Sequence, residues 1–310
     1  MTFVFIIAGL VLLVAGGDIL VRGAVTLATR LGISPLLVGL TVVGFGTSTP
    51  ELVTSLDAAF SGAPGISIGN VVGSNIANIL LILGVAALIM PVAVSPKAFW
   101  RDAAALSLAT LAGAALVLHG ELTRIAGAFL LGGLVAYIVV AFRSESRGPV
   151  VDAAPEPVPA GGIARPALLA LAGIATTIVG ARLLVSGAVD LAAGLGVSDA
   201  LIGLTIVAVG TSLPELVTAV IAAVRRQGDI AFGNVVGSNI YNILGILGVT
   251  ALVHPITVPT EIAAFDIGTM LAATLALVVL AFTGWQVSRR EGAALLIAYV
   301  GYVGWLVANA

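Results

Sequence analysis

The chain has 310 residues, 60% hydrophobic and 9% charged, with a mean hydropathy of +1.20. Soluble domains carry about a quarter charged residues, so this composition excludes that class and points to a polytopic membrane protein. A formal net charge of −2 gives no basic field for nucleic acid, and the absence of cysteine removes disulfides and thiolate metal sites.

A hydrocarbon core about 30 Å thick needs about 20 apolar residues per helix. On that scale the chain divides into ten spans, near 3–28, 35–60, 66–90, 98–118, 122–142, 166–192, 199–224, 230–253, 261–283 and 292–309. The first span lacks a basic leader, and its continuation, Gly16–Thr41, has a counterpart at Gly180–Thr205, so it reads as a retained span. Within it, Asp18 and Arg22 stand four residues apart and are expected to pair.

The second and third spans hold the main signal. Gly39–Pro91 recurs without a gap as Gly203–Pro255, with 33 of 53 positions identical, so the chain is an internal duplication. In span two GTSTPE ends at Glu51, and its copy in span seven, GTSLPE, ends at Glu215. Proline removes a backbone donor and clashes with the preceding turn, so each helix should break there. The first half-helix would end near Thr47 or Thr211 with carbonyls suited to a cation, and Pro50 and Pro214 would open the second half-helix. Asp57, near the outer end of span two, reads as a solvated helix end.

Span three carries GNVVGSNIANIL from Gly69, and span eight GNVVGSNIYNIL from Gly233. On a helix Asn70, Ser74 and Asn78 share one face, as do Asn234, Ser238 and Asn242, each a ladder of neutral oxygen donors. Asn70, Asn75, Asn234 and Asn239 serve equally well as interhelical hydrogen-bonding groups, and Gly69, Gly73, Gly233 and Gly237 read as packing residues. The histidines, His119 and His254, fall at span ends and read as interfacial; Asp190, Asp199 and Asp229 read as interfacial or loop residues.

Between the halves, residues 143–165 are rich in Pro, Gly and mixed charge and read as a flexible cytoplasmic linker. The fold expected is therefore all-α: ten transmembrane helices as two inverted five-helix repeats, 1–142 and 166–310, with helices broken at the midplane. Five spans per repeat is an odd number, which inverts the second copy. Alternate threading gathers Arg30, Lys97, Arg101, Arg143, Arg147, Arg165, Arg225, Arg226, Arg289 and Arg290 on one side against Arg124 on the other. The positive-inside rule makes the first side cytoplasmic and puts both termini outside the cytoplasm of a cell-membrane protein. Arg22 and Arg182 lie within spans and are expected to snorkel toward the inner face.

A carboxylate at membrane depth costs at least a few kcal/mol, about 2.5–3.5 on insertion scales, unless something compensates it. With no Arg or Lys at the middle of a span, a metal cation or a proton remains as the partner of Glu51 and Glu215. Carboxylates, hydroxyls, amide oxygens and carbonyls are hard donors suited to Ca2+ and Na+, and disfavour zinc and copper.

The paired GTSTPE/GTSLPE and GNVVGSNIANIL/GNVVGSNIYNIL segments resemble the two alpha-repeats of the calcium/cation antiporter superfamily, in its prokaryotic sodium/calcium exchanger branch. The motifs cover about a third of the chain, and the ten-span layout extends the likeness over nearly all of it. The resemblance implies electrogenic exchange of several Na+ for one Ca2+, with the first and sixth spans moving against the other eight. It implies a calcium site at Glu51 and Glu215 with the carbonyls of Thr47 and Thr211. Sodium sites would add Ser48, Ser74, Ser212, Ser238 and carbonyls near Gly44 and Ala208. Several family members have aspartate at the end of one ladder, where this chain has Asn78 and Asn242. Two site carboxylates balance one Ca2+ or two Na+, which bears on the stoichiometry.

The expectation is a secondary antiporter with Ca2+ and Na+ as substrates, the lipid bilayer as its setting, and neither a cofactor nor an obligate protein partner. The proximity of two carboxylates keeps H+/Ca2+ antiport open. A cation channel and a non-transporting scaffold are the readings from other classes. An enzyme is not expected, because no nucleophile–base constellation or cofactor loop stands in the sequence.

Overall fold

The structure is a computed structural model, and it describes residues 2–145, 162–195, 208–258 and 264–309. Nearly all of these are helical. Eight helices are long and apolar enough to cross a membrane: Thr2–Leu31, Pro64–Ile89, Pro96–His119, Arg124–Ser144, Ala164–Ala192, Gly228–Val253, Phe265–Gly284 and Arg289–Ala308. Pro35–Thr47 and Thr49–Phe60 form a further span bent by 42°. Its repeat counterpart is the short pair Ala208–Thr211 and Leu213–Val224, preceded by residues outside the described set. Asp199 and most of the 143–165 linker also lie outside the described residues.

The all-helical expectation holds across nearly all the described residues, with one minor addition. Four two-residue strands cap the bundle: β1 (Val92–Ala93), β2 (Glu121–Leu122), β3 (Ile256–Thr257) and β4 (Gln286–Val287). β1 pairs with β4 and β2 with β3, both antiparallel, in the registers Val92↔Val287 and Leu122↔Ile256. The chain leaves its helices there at Pro91, Gly120, Pro255 and Trp285, and the freed backbone groups find partners across the gap between halves.

Two long helices, α1 (Thr2–Leu31) and α2 (Ala164–Gly194), make the most extensive contact in the molecule. Glycines at seven-residue spacing carry it: Gly9, Gly16 and Gly23 on α1, and Gly173, Gly180 and Gly187 on α2. A Cβ at Gly16 would meet the Thr177 nitrogen at 2.7 Å, at Gly23 the Ala170 nitrogen at 2.6 Å, and at Gly180 the Leu13 nitrogen at 2.7 Å. The order of partners along the two helices is antiparallel. Small residues at such spacing let backbones touch, which replaces the hydrophobic drive that lipid cannot supply.

The core is packed around the helices Pro64–Ile89 and Gly228–Val253, which are the most enclosed of the spans. Each contains a π-helical turn, Asn78–Leu83 and Tyr241–Leu247. Gly233 and Gly237 press against the bent span, where a Cβ at Gly237 would lie 2.1 Å from the Leu40 carbonyl oxygen, as expected of packing glycines. Gly69 and Gly73 do not follow: among the described residues nothing lies within 4 Å of a Cβ built there. Farther out, Asp102 accepts from the Tyr137 hydroxyl at 3.2 Å, and its repeat counterpart Asp266 accepts from Tyr302 at 2.9 Å.

The glycine seam yields a first expected outcome. Gly16→Leu or Gly180→Leu must part α1 from α2 and should destabilise the folded protein by about 1–3 kcal/mol. The change would be read as a lower unfolding temperature in detergent, with Leu31→Ala, at an exposed helix end, as the near-neutral control.

Candidate ion site

The site is built at two helix breaks. Ser48 joins the half-helices of the bent span with φ −81° and ψ 11°, and Ser212 does the same in its counterpart with φ −88° and ψ 8°. Pro50 cannot donate to the carbonyl of Gly46, and the Thr49 hydroxyl takes that acceptor instead at 2.9 Å. In the second half Leu213 stands where Thr49 does and has no hydroxyl to offer. Helix α3 (Thr49–Phe60) and helix α4 (Leu213–Val224) therefore begin at the breaks, each with its glutamate in the first turn, where the helix dipole favours a negative charge.

The two halves then hold each other's carboxylates. The Ser48 hydroxyl donates to Glu215 Oε1 at 2.9 Å, and the Ser212 hydroxyl donates to Glu51 Oε1 at 3.4 Å. Asn70 and Asn234 donate to the backbone carbonyls of Glu51 and Glu215, at 3.0 and 3.2 Å. Both glutamates are 1% exposed. The remaining oxygens, Glu51 Oε2 and Glu215 Oε2, are buried without a hydrogen-bond partner among the described residues. Burying a carboxylate oxygen without a partner is costly, so a pair of them calls for compensation by a cation or a proton.

Other predicted donors fall into two groups. Thr47 donates to the Val43 carbonyl and to Asn234 Oδ1, at 3.0 and 3.3 Å. Ser238 donates at 3.1 Å to the Gly44 carbonyl, which also receives the Ser48 amide. Asn78 donates to Asn239 Oδ1 at 3.1 Å, leaving its own oxygen unpartnered, and both side-chain polar atoms of buried Asn242 are unpartnered among the described residues. Ser74 is buried but makes no side-chain bond to either carboxylate, and Thr211 borders a cavity beside the second break. Among the described residues no three His, Cys, Asp or Glu side chains gather. The cluster is instead two carboxylates among hydroxyls and amides, the hard-donor chemistry of Ca2+ and Na+.

Sequence reasoning left several contributors unplaced. Asn70 and Asn234 hold the chain on either side of the glutamates, Asn239 joins the ladder through Asn78, and Thr49 satisfies the proline-freed carbonyl. The duplicated asparagines were visible as a pattern, but which of them bond the backbone depends on how the halves dock.

The cluster is flanked unequally in the two halves. A cavity of about 290 Å³ is bordered by Pro50, Val53 and Thr54 of α3, by Ala181, Arg182 and Val185 of α2, and by Gly210 and Thr211. The equivalent place in the other half is closed: a Cβ at Gly17, the counterpart of Ala181, would meet Ile221 at 2.7 Å and Val217 at 3.1 Å, and Thr218, the counterpart of Thr54, is fully buried. α1 lies along α4, whereas α2 hardly touches α3. Asp18 strengthens the closed side, pairing with Arg22 at 2.8 Å and also with Arg225 just past the end of α4.

Arg182 borders the cavity beside the break and makes no ion pair with either glutamate.

Apolar helices of spanning length wrapped around buried acidic groups define a multi-pass membrane transporter. The chain belongs to the sodium/calcium exchanger protein family, which matches residues 1–143 and 166–308. It is 36% identical over 346 aligned positions to the sodium/calcium exchanger MaX1 of Methanosarcina acetivorans, covering 97% of both chains. It is 35% identical to the inner membrane protein YrbG of Escherichia coli, covering 97% of this chain and 94% of that one. Among solved structures it is similar to the sodium-calcium exchanger NCX_Mj soaked with zero Na+ and Ca2+, at 33% identity, a TM-score of 0.86 and 98% coverage of each chain.

The open and closed sides predict unequal reactivity, and a chain without cysteine makes it simple to measure. Thr54→Cys should react with a water-soluble maleimide at least roughly ten times faster than Thr218→Cys, because thiol reactivity follows access. Equal rates would contradict the one-sided opening.

Proposed function

We propose that the chain exchanges Na+ for Ca2+ across the cell membrane by alternating access, with Glu51 and Glu215 as the shared ligands. The observation that carries this reading is the pair of buried, unpartnered carboxylate oxygens, each fixed by a serine of the opposite half. A single Ca2+, or Na+ ions in its place, neutralises the pair; the two substrates therefore compete for one set of oxygens. The serines leave one oxygen per carboxylate free for the ion and hold the other. Asn242, the free oxygen of Asn78, and the carbonyls of Thr47 and Thr211 complete the candidate ligand set, with Ser74 next along the ladder.

The same docking supports ten spans in two inverted repeats, 1–142 and 166–310. α1 and α2 run antiparallel, and each strand pair joins a loop of one half to the non-equivalent loop of the other, β1 to the counterpart of β2 and β2 to the counterpart of β1. The loop charges support an orientation with β1 and β4 on the cytoplasmic side beside Lys97 and Arg289, and both termini outside. The cavity then opens away from the cytoplasm. Moving the α1–α2 pair along the remaining helices would close it and open the α1–α4 side. An apo protein would have to carry two desolvated, uncompensated carboxylates through that movement, which is slow enough to couple one ion's transit to the other's.

Proteoliposomes loaded with Na+ should take up radioactive calcium, and Glu51→Gln or Glu215→Gln should weaken apparent Ca2+ affinity about 10- to 100-fold, the range for a lost charge-assisted contact. Uptake driven by a pH gradient with Na+ absent would replace Na+ by H+ as the coupling ion. Unchanged uptake in both variants would reject the site.

A further inference from the structure

We infer that Arg182 is a specificity-determining residue of the open route, weighting it against divalent cations. The inference rests on the proposed site at Glu51 and Glu215. Among the described residues bordering the cavity Arg182 is the only charged one, and it shares that border with Pro50 and Thr211, which belong to the two breaks. It forms no hydrogen bond or ion pair with any described residue, so its charge is not cancelled locally.

The duplication sharpens the point. The counterpart of Arg182 is Asp18, opposite in sign, and Asp18 is held by Arg22 and Arg225 on the closed side. The counterparts of Arg22 and Arg225 are Ser186 and Ser61, so no acidic or basic partner was duplicated along with Arg182. Among the described residues the open side thus carries a positive charge without an ion-pair partner, while the closed side carries a paired cluster.

A fixed charge raises the energy of an approaching ion in proportion to that ion's own charge. Whatever factor Arg182 imposes on Na+ is squared for Ca2+. Across about 10 Å of water those factors are about twofold and about fourfold, and they shrink with added salt. On the face where the cavity opens, the site therefore releases Ca2+ more readily and takes Na+ with less penalty, which suits exchange of bound Ca2+ for entering Na+.

The test uses the full chain in proteoliposomes and measures the half-saturating Ca2+ concentration on the cavity face. Arg182→Gln should lower it about fourfold and Arg182→Glu about sixteenfold at low ionic strength. Arg182→Lys, which keeps the charge, should match the parent, and impermeant choline chloride at about 0.5 M should shrink the shifts to under about twofold. An Arg182→Lys shift as large as that of Arg182→Gln, or shifts indifferent to salt, would show a packing role and overturn the inference. Normal half-saturation in Arg182→Gln with impaired uptake in Glu51→Gln rejects the role of Arg182 alone. Unimpaired Glu51→Gln rejects the site and this inference with it.

Discussion

The structure depends on a reciprocal pair of hydrogen bonds, Ser48 to Glu215 and Ser212 to Glu51. Each is modest, about 1.5–3 kcal/mol for a bond to a charged group, and far from enough to offset removing a carboxylate from water. Their importance is geometric. They commit one oxygen of each carboxylate to the opposite half and leave the other turned into a buried space without a donor. The rest of the core can be understood as the means of holding that unfavourable arrangement. Asn70 and Asn234 hold the carbonyls of the glutamates, Ser238 ties the Gly44 carbonyl, and the glycines at 233 and 237 let the bent span approach the helix that carries these groups.

Duplication makes this economical, because one motif used twice in opposite sense supplies both the acid and the hydroxyl that holds its partner. The copies have nevertheless diverged where symmetry would be a handicap. Thr49 caps the proline-freed carbonyl in the first half, Leu213 has no hydroxyl to do so in the second, and Gly210 stands at the edge of the cavity. Two identical halves would give access states of equal energy. The differences lie in the residues that face the two routes, while the glutamates, serines and asparagines of the motifs are retained in both.

How much of this was legible in the sequence follows from the range over which each signal acts. Proline, glycine and a carboxylate within six residues announce a break and a buried charge on local grounds alone, and the breaks at Ser48 and Ser212 fall where GTSTPE and GTSLPE place them. The pairing of Asp18 with Arg22 was equally local; its second partner, Arg225, was not. The seam between α1 and α2 was written in glycines at 9, 16, 23, 173, 180 and 187, but a seven-residue glycine spacing has meaning only once a partner helix is known. The π-helical turns at Asn78 and Tyr241 leave no mark in NIL, which is as good an α-helix as any. The strands were missed because two residues carry no periodicity, and the place of Arg182 on the cavity border depends on how the halves dock.

Why the closed side is closed follows from the same charges. To open the α1–α4 side, Gly17 must leave Val217 and Ile221, and Asp18 must part from Arg225 while keeping Arg22, which travels on its own helix. The pair to Arg225 joins partly exposed groups, so solvent screens it and its intrinsic worth is small. Its effect is directional all the same, since the Ser61 and Arg182 counterparts make no such bond on the open side. Packing of Gly17 and the ion pair thus act together on one route, and among the described residues nothing equivalent resists separation of α2 from α3. The two access states are built from one ancestral half, yet the side chains facing the routes make the state seen here the one that needs less rearrangement to hold.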